Sequence, residues 1–325
     1  MSSIFSRKGK GTSKSKGSKS GNFAGIALHG DSVRYLELSG TRGALKVVKQ
    51  EIVPISQGAI VKDSLVDLEA VVSALEGLKS AVGGFHSPVV LGIPSRDVIL
   101  RLVEYPKMSI EDVKEALQFE FDKYFPYPYQ EAAADVAEVE VPTPEAADKS
   151  TILVATCRQR IINDIVRVTG RAGIALTAVE PMNVAFFRSA VGPDPRSGSY
   201  FVVFVEPEST QIMLGYKDNG ILFRSTAVDL TSREVRDSDE GIMPILRDVQ
   251  NTIIFAGNQY RGLEPNNLIL GGIVGKDSRL GALLESGASL SVLSLDVWNL
   301  WRTPSLVGNV GGFEAAFGLA VRNLL

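Results

Sequence analysis

The chain has 325 residues, 45% of them hydrophobic and 22% charged, with a formal net charge of −3. That length points to two lobes, and the composition to a soluble globular protein rather than a fibrous or disordered one. One cysteine and two histidines exclude an intrachain disulfide and a zinc centre, and no apolar run approaches the roughly 18–20 residues of a membrane span.

Residues 1–21, MSSIFSRKGKGTSKSKGSKSG, hold six basic residues and no acid, so the rest of the chain is more acidic than the overall charge suggests. A Gly/Ser/Lys tail cannot bury enough apolar surface to fold. Two roles are open to it: a solubilising tail, or attraction to an anionic membrane surface, worth about 1 kcal/mol per basic residue, with Ile4-Phe5 as a weak apolar anchor. The acidity of the remainder argues against nucleic acid as a partner.

FAGIALHG and VRYLELSG read as a hairpin, and ALKVVKQEIVPI extends it to a third strand. SLVDLEAVVSALEGLKSAVGG has helical periodicity and stops at Gly83-Gly84. SPVVLGIP is apolar throughout, which predicts a strand buried on both faces. VILRLVEYP is a further strand. Ser109 caps the helix IEDVKEALQFEFDKYF, with Asp112 at its third position, and Pro126 and Pro128 forbid continuation. EAAADVAEVEV alternates as a strand, VPTPEAADKS is a turn, and TILVATC is the partner strand, in which Cys157 reads as a small buried residue. A helix to Gly173, the strand IALTAVEP and the short helix PMNVAFFRSAVG follow.

GPDPRSGS, residues 192–199, is the best internal linker. Behind it the opening pattern returns: YFVVFVEPESTQIMLGYKDNGILFRSTAVDL predicts strand, turn, strand, an Asn219-Gly220 hairpin turn and strand. A helix at MPILRDVQNTIIFAGNQY and the strand NLILGG come next. Two copies of strand-strand-strand-helix-strand predict an α/β fold of duplicated actin/Hsp70-like (ribonuclease H-like) lobes, with ligand held between them by one turn from each.

Several ordered stretches give the chain a family resemblance over residues 23–325. GAIVKDSLVDLEAVVSAL (58–75), GIPSRDVILRLVEYPKMSIEDVKEALQFEFDKYFPYPYQEAAAD (92–135), LVATCRQRIINDIVRVTGRAGIALTAVEPMNVAFFRS (153–189), LILGGI (268–273) and the closing FGLAVRNLL resemble the type IV pilus assembly protein PilM family. That family is related to FtsA and to the cytoplasmic domain of GspL. The resemblance implies an FtsA/PilM-type inserted subdomain, and the expected organisation is a tail (1–21), a first lobe beginning at 22–96, an insertion (97–180), a return helix and linker (181–198) and a second lobe with a shortened lid (199–325).

In the family the first phosphate turn reads approximately D-I-G-S-S-S-V-K. Here it is Ala27-Leu28-His29-Gly30-Asp31-Ser32-Val33-Arg34, so alanine replaces the aspartate and histidine the glycine. The second turn, approximately D-I-G-x-x-x-T, is Phe204-Val205-Glu206-Pro207-Glu208-Ser209-Thr210. Phosphate loops need glycine because backbone N–H groups converge on the anion, and Pro207 removes one donor. A carboxylate about 4 Å from a phosphate charge costs roughly 4 kcal/mol at an effective dielectric of 20, more than one hydroxyl or N–H contact returns. The segment between the second hairpin and Met243 is also shorter than the family's lid, which leaves charged contacts open to water.

The expected cleft residues are therefore a degenerate nucleotide set: His29, Gly30, Asp31, Ser32, Arg34, Glu206, Ser209, Thr210, Gly271 and Gly272. No catalytic residue, metal or cofactor is expected. The alternative keeps ATP and magnesium, with Glu206 and Asp31 standing in for the lost aspartates and Gly271-Gly272 admitting a base. A small-molecule kinase of the same fold is the third reading, weakened by the missing acid or base and lid. The resemblance implies a scaffold docking the cytoplasmic N-terminal peptide of a PilN-like inner-membrane protein, and contacts with other pilus or type II secretion platform proteins. It would place the chain in the cytoplasm, peripheral to the inner membrane. Phe119, Tyr124, Tyr127 and Tyr129 are the candidate partner residues, Tyr127 and Tyr129 as exposed loop aromatics, with Phe121 and Phe125 assigned to the core.

Overall fold

The computed structural model describes residues 21–62, 64–142, 148–260, 262–275, 278–306 and 311–324. The basic tail up to residue 20 lies outside them, as does most of the turn at 143–147. Strands β1 (Gly21–Leu28), β2 (Ser32–Thr41) and β3 (Ala44–Pro54) form an antiparallel meander, and α1 (Leu68–Ala81) leads to β4 (Val89–Ile93), parallel to β1. Asp67 starts α1 by accepting from the backbone N–H groups of Glu69 and Ala70. β5 (Val98–Pro106), α2 (Ile110–Tyr124), β6 (Ala132–Val139) and β7 (Lys149–Arg158) follow, then α3 (Gln159–Arg171), β8 (Leu176–Pro181) and α4 (Met182–Val191).

The second half repeats the first: β9 (Ser199–Val205), β10 (Ser209–Tyr216) and β11 (Asn219–Ala227) are a meander, and the short α5 (Arg233–Arg236) and long α6 (Asp239–Gln259) lead to β12 (Asn267–Gly271), parallel to β9. α7 (Ser278–Ala288), β13 (Ser291–Ser294), α8 (Val297–Leu300) and α9 (Glu314–Ala320) complete it. The two five-stranded sheets have the same order, β3-β2-β1-β4-β8 and β11-β10-β9-β12-β13, which is the duplicated actin-like architecture.

α4 and α9 lie between the sheets. One core cluster joins Ala27, Leu36 and Val90 of the first sheet to Val202, Phe204 and Ile269 of the second through Phe186, Phe187, Phe317 and Leu319. The close approach requires glycine at two points: a Cβ on Gly25 would stand 2.2 Å from the Ala316 carbonyl, and one on Gly318 1.8 Å from that of Ala185. The segment read as a return helix is thus the centre of the molecule, every residue of α4 being buried.

Three sequence expectations are corrected. The block 97–180 is not one unit: β5, β7 and β6 form a separate three-stranded sheet covered by α2, whereas β8 is the edge strand of the first sheet and α3 packs on α1. Burial decides this, because Ile165 and Val168 of α3, with Ala172 just after it, complete the core beneath the first sheet. The second hairpin turns at Lys217-Asp218, with Lys217 at φ 51°, and Asn219-Gly220 opens β11 instead. Its turn is held by the Arg196 N–H donating to Asp218 and by the Tyr200 hydroxyl donating to the Lys217 carbonyl. α6 begins at Asp239, four residues earlier than its apolar pattern indicates, because Ser238 caps it and Asp239 and Glu240 favour its N-terminus.

Cys157 is fully buried in β7, as expected. Burial, and then the Asp97 carboxylate, push its thiol from the ordinary 9.0 up to about 12. A raised acid pKa favours the protonated folded state: this contribution to stability is complete below pH ~9 and is lost as pH climbs toward 12, where the unfolded chain alone has released its proton. Burial shifts Tyr105 in the same direction, to about 12. Urea midpoints at pH 8 and pH 10 should show a clear fall at the higher pH, and the thiol should resist alkylation at pH 8 in the folded protein.

Candidate functional site

The first candidate site is the cleft where the C-terminal ends of β1 and β9 face each other. Both strands end in the same short turn. The His29 N–H donates to the Ser32 carbonyl and the Glu206 N–H to the Ser209 carbonyl, each at 2.9 Å. A cavity of about 330 Å³ opens between them. Leu28, Ile55 and Ile60 line it from the first lobe, Met182 and Phe186 from α4, and Thr231 from the segment before α5.

Side chains tie the two turns together. His29 Nδ1 stands 3.5 Å from Glu206 Oε2, with both side chains more than nine-tenths buried. Glu206 Oε1 accepts from the Ile273 N–H, and Glu208 Oε2 from the Lys62 N–H across the cleft at 2.9 Å. Gly30 packs on the Glu208 carboxylate, which a Cβ there would approach to 3.3 Å. The space between the turns is therefore spanned by carboxylates and an imidazole. Among the described residues no group of three or more His, Cys, Asp or Glu could hold a metal ion.

Five of the ten expected cleft residues line this cavity: His29, Gly30, Asp31, Glu206 and Ser209. The other five do not line it. Arg34 is buried, its Nε donating to Ser32 Oγ and its Nη1 to the Gly311 carbonyl, so it braces the loop before α9. Thr210 is fully buried within β10. Gly271 and Gly272 are explained by packing: a Cβ on Gly271 would lie 2.7 Å from the Phe204 ring, and one on Gly272, at φ +95°, 2.5 Å from the Val205 carbonyl. Ala27 and Phe204, which occupy the aspartate positions of the resemblance, are fully buried in the core between the sheets, with the Phe204 ring tilted 36° against that of Phe186 at 4.5 Å between centroids. Sequence reasoning missed Ile55, Ile60, Met182, Phe186 and Thr231. They come from separate segments, and no local spacing links them.

The second candidate site is a trough of about 530 Å³ along α3 and the free edge of β8. Ile162 and Val166 on α3 face Ile174 and Val179 across it, and Gln159 continues it to a shallow depression with Arg158, Arg160 and Glu131 beside the inserted sheet. Val166 is half exposed. The candidate partner aromatics lie beyond this trough, around α2. Phe119 is 90% exposed, whereas Tyr124 and Tyr129 are half-buried against the inserted core. Tyr127 is corrected from exposed to buried. Its flanking prolines turn the loop back over α2, its ring packs 6.0 Å from Phe121, and its hydroxyl lies 3.3 Å from Thr156 Oγ1. Phe121 and Phe125 are core, as expected.

The twin lobes, the shared inter-lobe core and the paired turns define an actin-like protein with an inserted subdomain. The family model of the type IV pilus assembly protein PilM matches residues 25–190, just over half of the chain, and the chain belongs to that family. A PilM–PilN type IV pilus biogenesis complex has a similar fold, with a TM-score of 0.77, 18% identity, and 93% of this chain and 98% of that chain covered. The ethanolamine utilization protein EutJ from Carboxydothermus hydrogenoformans matches at a TM-score of 0.50 and 11% identity, over 93% of this chain and 89% of that one. The cytoplasmic domain of EpsL, an inner-membrane component of the Vibrio cholerae type II secretion system, matches at 0.46 and 14% identity, over 78% and 82%.

Proposed function

We propose that the chain is a cytoplasmic platform of a type IV pilus assembly machine that captures the N-terminal peptide of a PilN-like inner-membrane protein, and that its nucleotide cleft is degenerate and no longer holds Mg·ATP. The observation that carries the docking reading is the trough beside β8. An edge strand offers unpaired backbone N–H and C=O groups, and the apolar wall of α3 offers pockets for alternate side chains, the two needs of an extended-peptide mode. No helix among the described residues is long and apolar enough to cross a membrane.

Val166→Asp places a charge in the trough at a position exposed enough to spare the fold. Titration with the PilN-like N-terminal peptide should show binding at least tenfold weaker, about 1.4 kcal/mol, with an unchanged urea midpoint. Undiminished affinity would remove the trough from the interface.

The cleft reading rests on the carboxylates of Asp31, Glu206 and Glu208, which line the space where phosphates would sit. Glu206 and Glu208 repel a triphosphate, and the backbone N–H groups of Glu206 and His29 are already used within their turns. Calorimetric titration with Mg·ATP should detect no binding in the micromolar range; a micromolar dissociation constant refutes this half of the proposal.

A further inference from the structure

The cleft has a ligand chemistry of its own. Its charged lining is acidic, with Asp31, Glu206 and Glu208, and the cation beside it is Arg34, whose Nη2 stands 3.8 Å from Asp31 Oδ2. Its floor is apolar, formed by Leu28, Ile55, Ile60, Met182 and Phe186. Two buried polar atoms at its base, His29 Nε2 and Glu206 Oε2, have no hydrogen-bond partner. An apolar floor beneath an acidic mouth suits a segment with apolar side chains followed closely by cations. The chain carries one such segment outside the described residues: Ile4-Phe5, then Arg7, Lys8 and Lys10.

We propose that the cleft is the docking site of the chain's own N-terminal segment, with Ile4 and Phe5 on the apolar floor and the basic residues at Asp31 and Glu208 on its mouth. The inference rests on the reading of the cleft as unsuited to phosphate. Length supports it as well as charge. The tail joins the fold at Gly21, and the eight residues of β1 put the cleft about 26 Å away. The sixteen residues from Phe5 to Gly21 can reach about 53–58 Å at full extension, enough to cover that distance around the fold. The same basic residues would otherwise be the chain's candidate contact with anionic lipid, so a docked tail is withheld from the membrane.

The test uses the full chain with Ser6→Cys and Thr231→Cys, one thiol beside the docking residues and one at the cleft mouth. Cys157 does not compete, being buried with its thiol pushed up to about 12. Mild oxidation at micromolar protein should join the two introduced thiols within one chain in most molecules. Neutralising the mouth with Asp31→Asn and Glu208→Gln, or raising NaCl to 1 M, should cut the yield at least fivefold, since screening then acts within about 3 Å. Equal yields in the neutralised chain would overturn the proposal. So would thiols that never couple and are shielded from alkylation only by phosphatidylglycerol vesicles, which would make the tail a lipid anchor. Uncoupled thiols without Mg·ATP binding end this proposal alone, whereas micromolar Mg·ATP binding to the wild-type chain ends both it and the cleft reading beneath it.

Discussion

Phe204→Asp, which restores the acidic residue of the family's second phosphate turn, should destroy the fold without recreating a nucleotide site. Phe204 is fully buried, its ring lies 4.5 Å from that of Phe186, and Gly271 has no side chain because this ring fills the space. Removing a buried phenylalanine costs about 3–5 kcal/mol through lost transfer energy and the cavity left behind. An unpaired carboxylate in the same place adds a penalty of its own, met only by taking up a proton. Together these approach the whole stability of a typical folded chain, about 5–15 kcal/mol. The expected result is insoluble protein, or a urea transition shifted far toward zero, with no Mg·ATP binding by calorimetry. Phe204→Leu is the control and should fold at a cost of ~1–2 kcal/mol. A soluble, cooperatively folding Phe204→Asp chain that binds Mg·ATP would show that the site is latent.

Glu180→Ala should be comparably severe, for an electrostatic reason. Glu180, at the end of β8, accepts from both terminal nitrogens of Arg188 on α4, at 2.6 and 2.5 Å, and lies 3.5 Å from Arg322 Nε just beyond α9. All three side chains are more than nine-tenths buried, and Arg188 also donates to the Gly318 carbonyl at the α4–α9 crossing. The cluster therefore joins the first sheet to both inter-lobe helices. Breaking a buried pair by removing one partner leaves an uncompensated charge and costs about 3–5 kcal/mol. Urea denaturation should report that loss as a lower midpoint at unchanged slope. The triple variant Glu180→Leu/Arg188→Met/Arg322→Met removes all three charges and should recover much of it, because desolvation of the cluster offsets most of its attraction. A single variant within about 1 kcal/mol of wild type would mean that solvent reaches the cluster.

Much of the architecture was legible because it is written in local patterns. Alternating or continuous apolar runs marked the strands, Ser109 and the prolines after Phe125 bounded α2, and the repeated meander announced two similar lobes. The misreadings have local causes as well. Asn219-Gly220 is a strong turn signal, yet contacts of Arg196 and Tyr200 with the adjacent residues moved the turn two positions back. Tyr127, between prolines, has the sequence context of an exposed loop, and only the presence of Phe121 beneath it makes it core. The cleft was half legible: two turns spaced by a repeat could be matched by eye, which found His29, Asp31 and Glu206 but not the apolar floor supplied by Ile55, Ile60 and α4.

The sequence by itself determined the order of elements, the duplication and the family, since each is a property of neighbouring residues or of recurring order. Tertiary structure decided that α4, read as a return helix, is the inter-lobe core, that β8 is an open edge beside an apolar wall, and that five of the ten expected cleft residues do not line the cavity. Those outcomes depend on which distant segments compete to cover the same apolar face and the same charges. That competition is settled by packing and desolvation across the whole molecule, and no window of the sequence contains it.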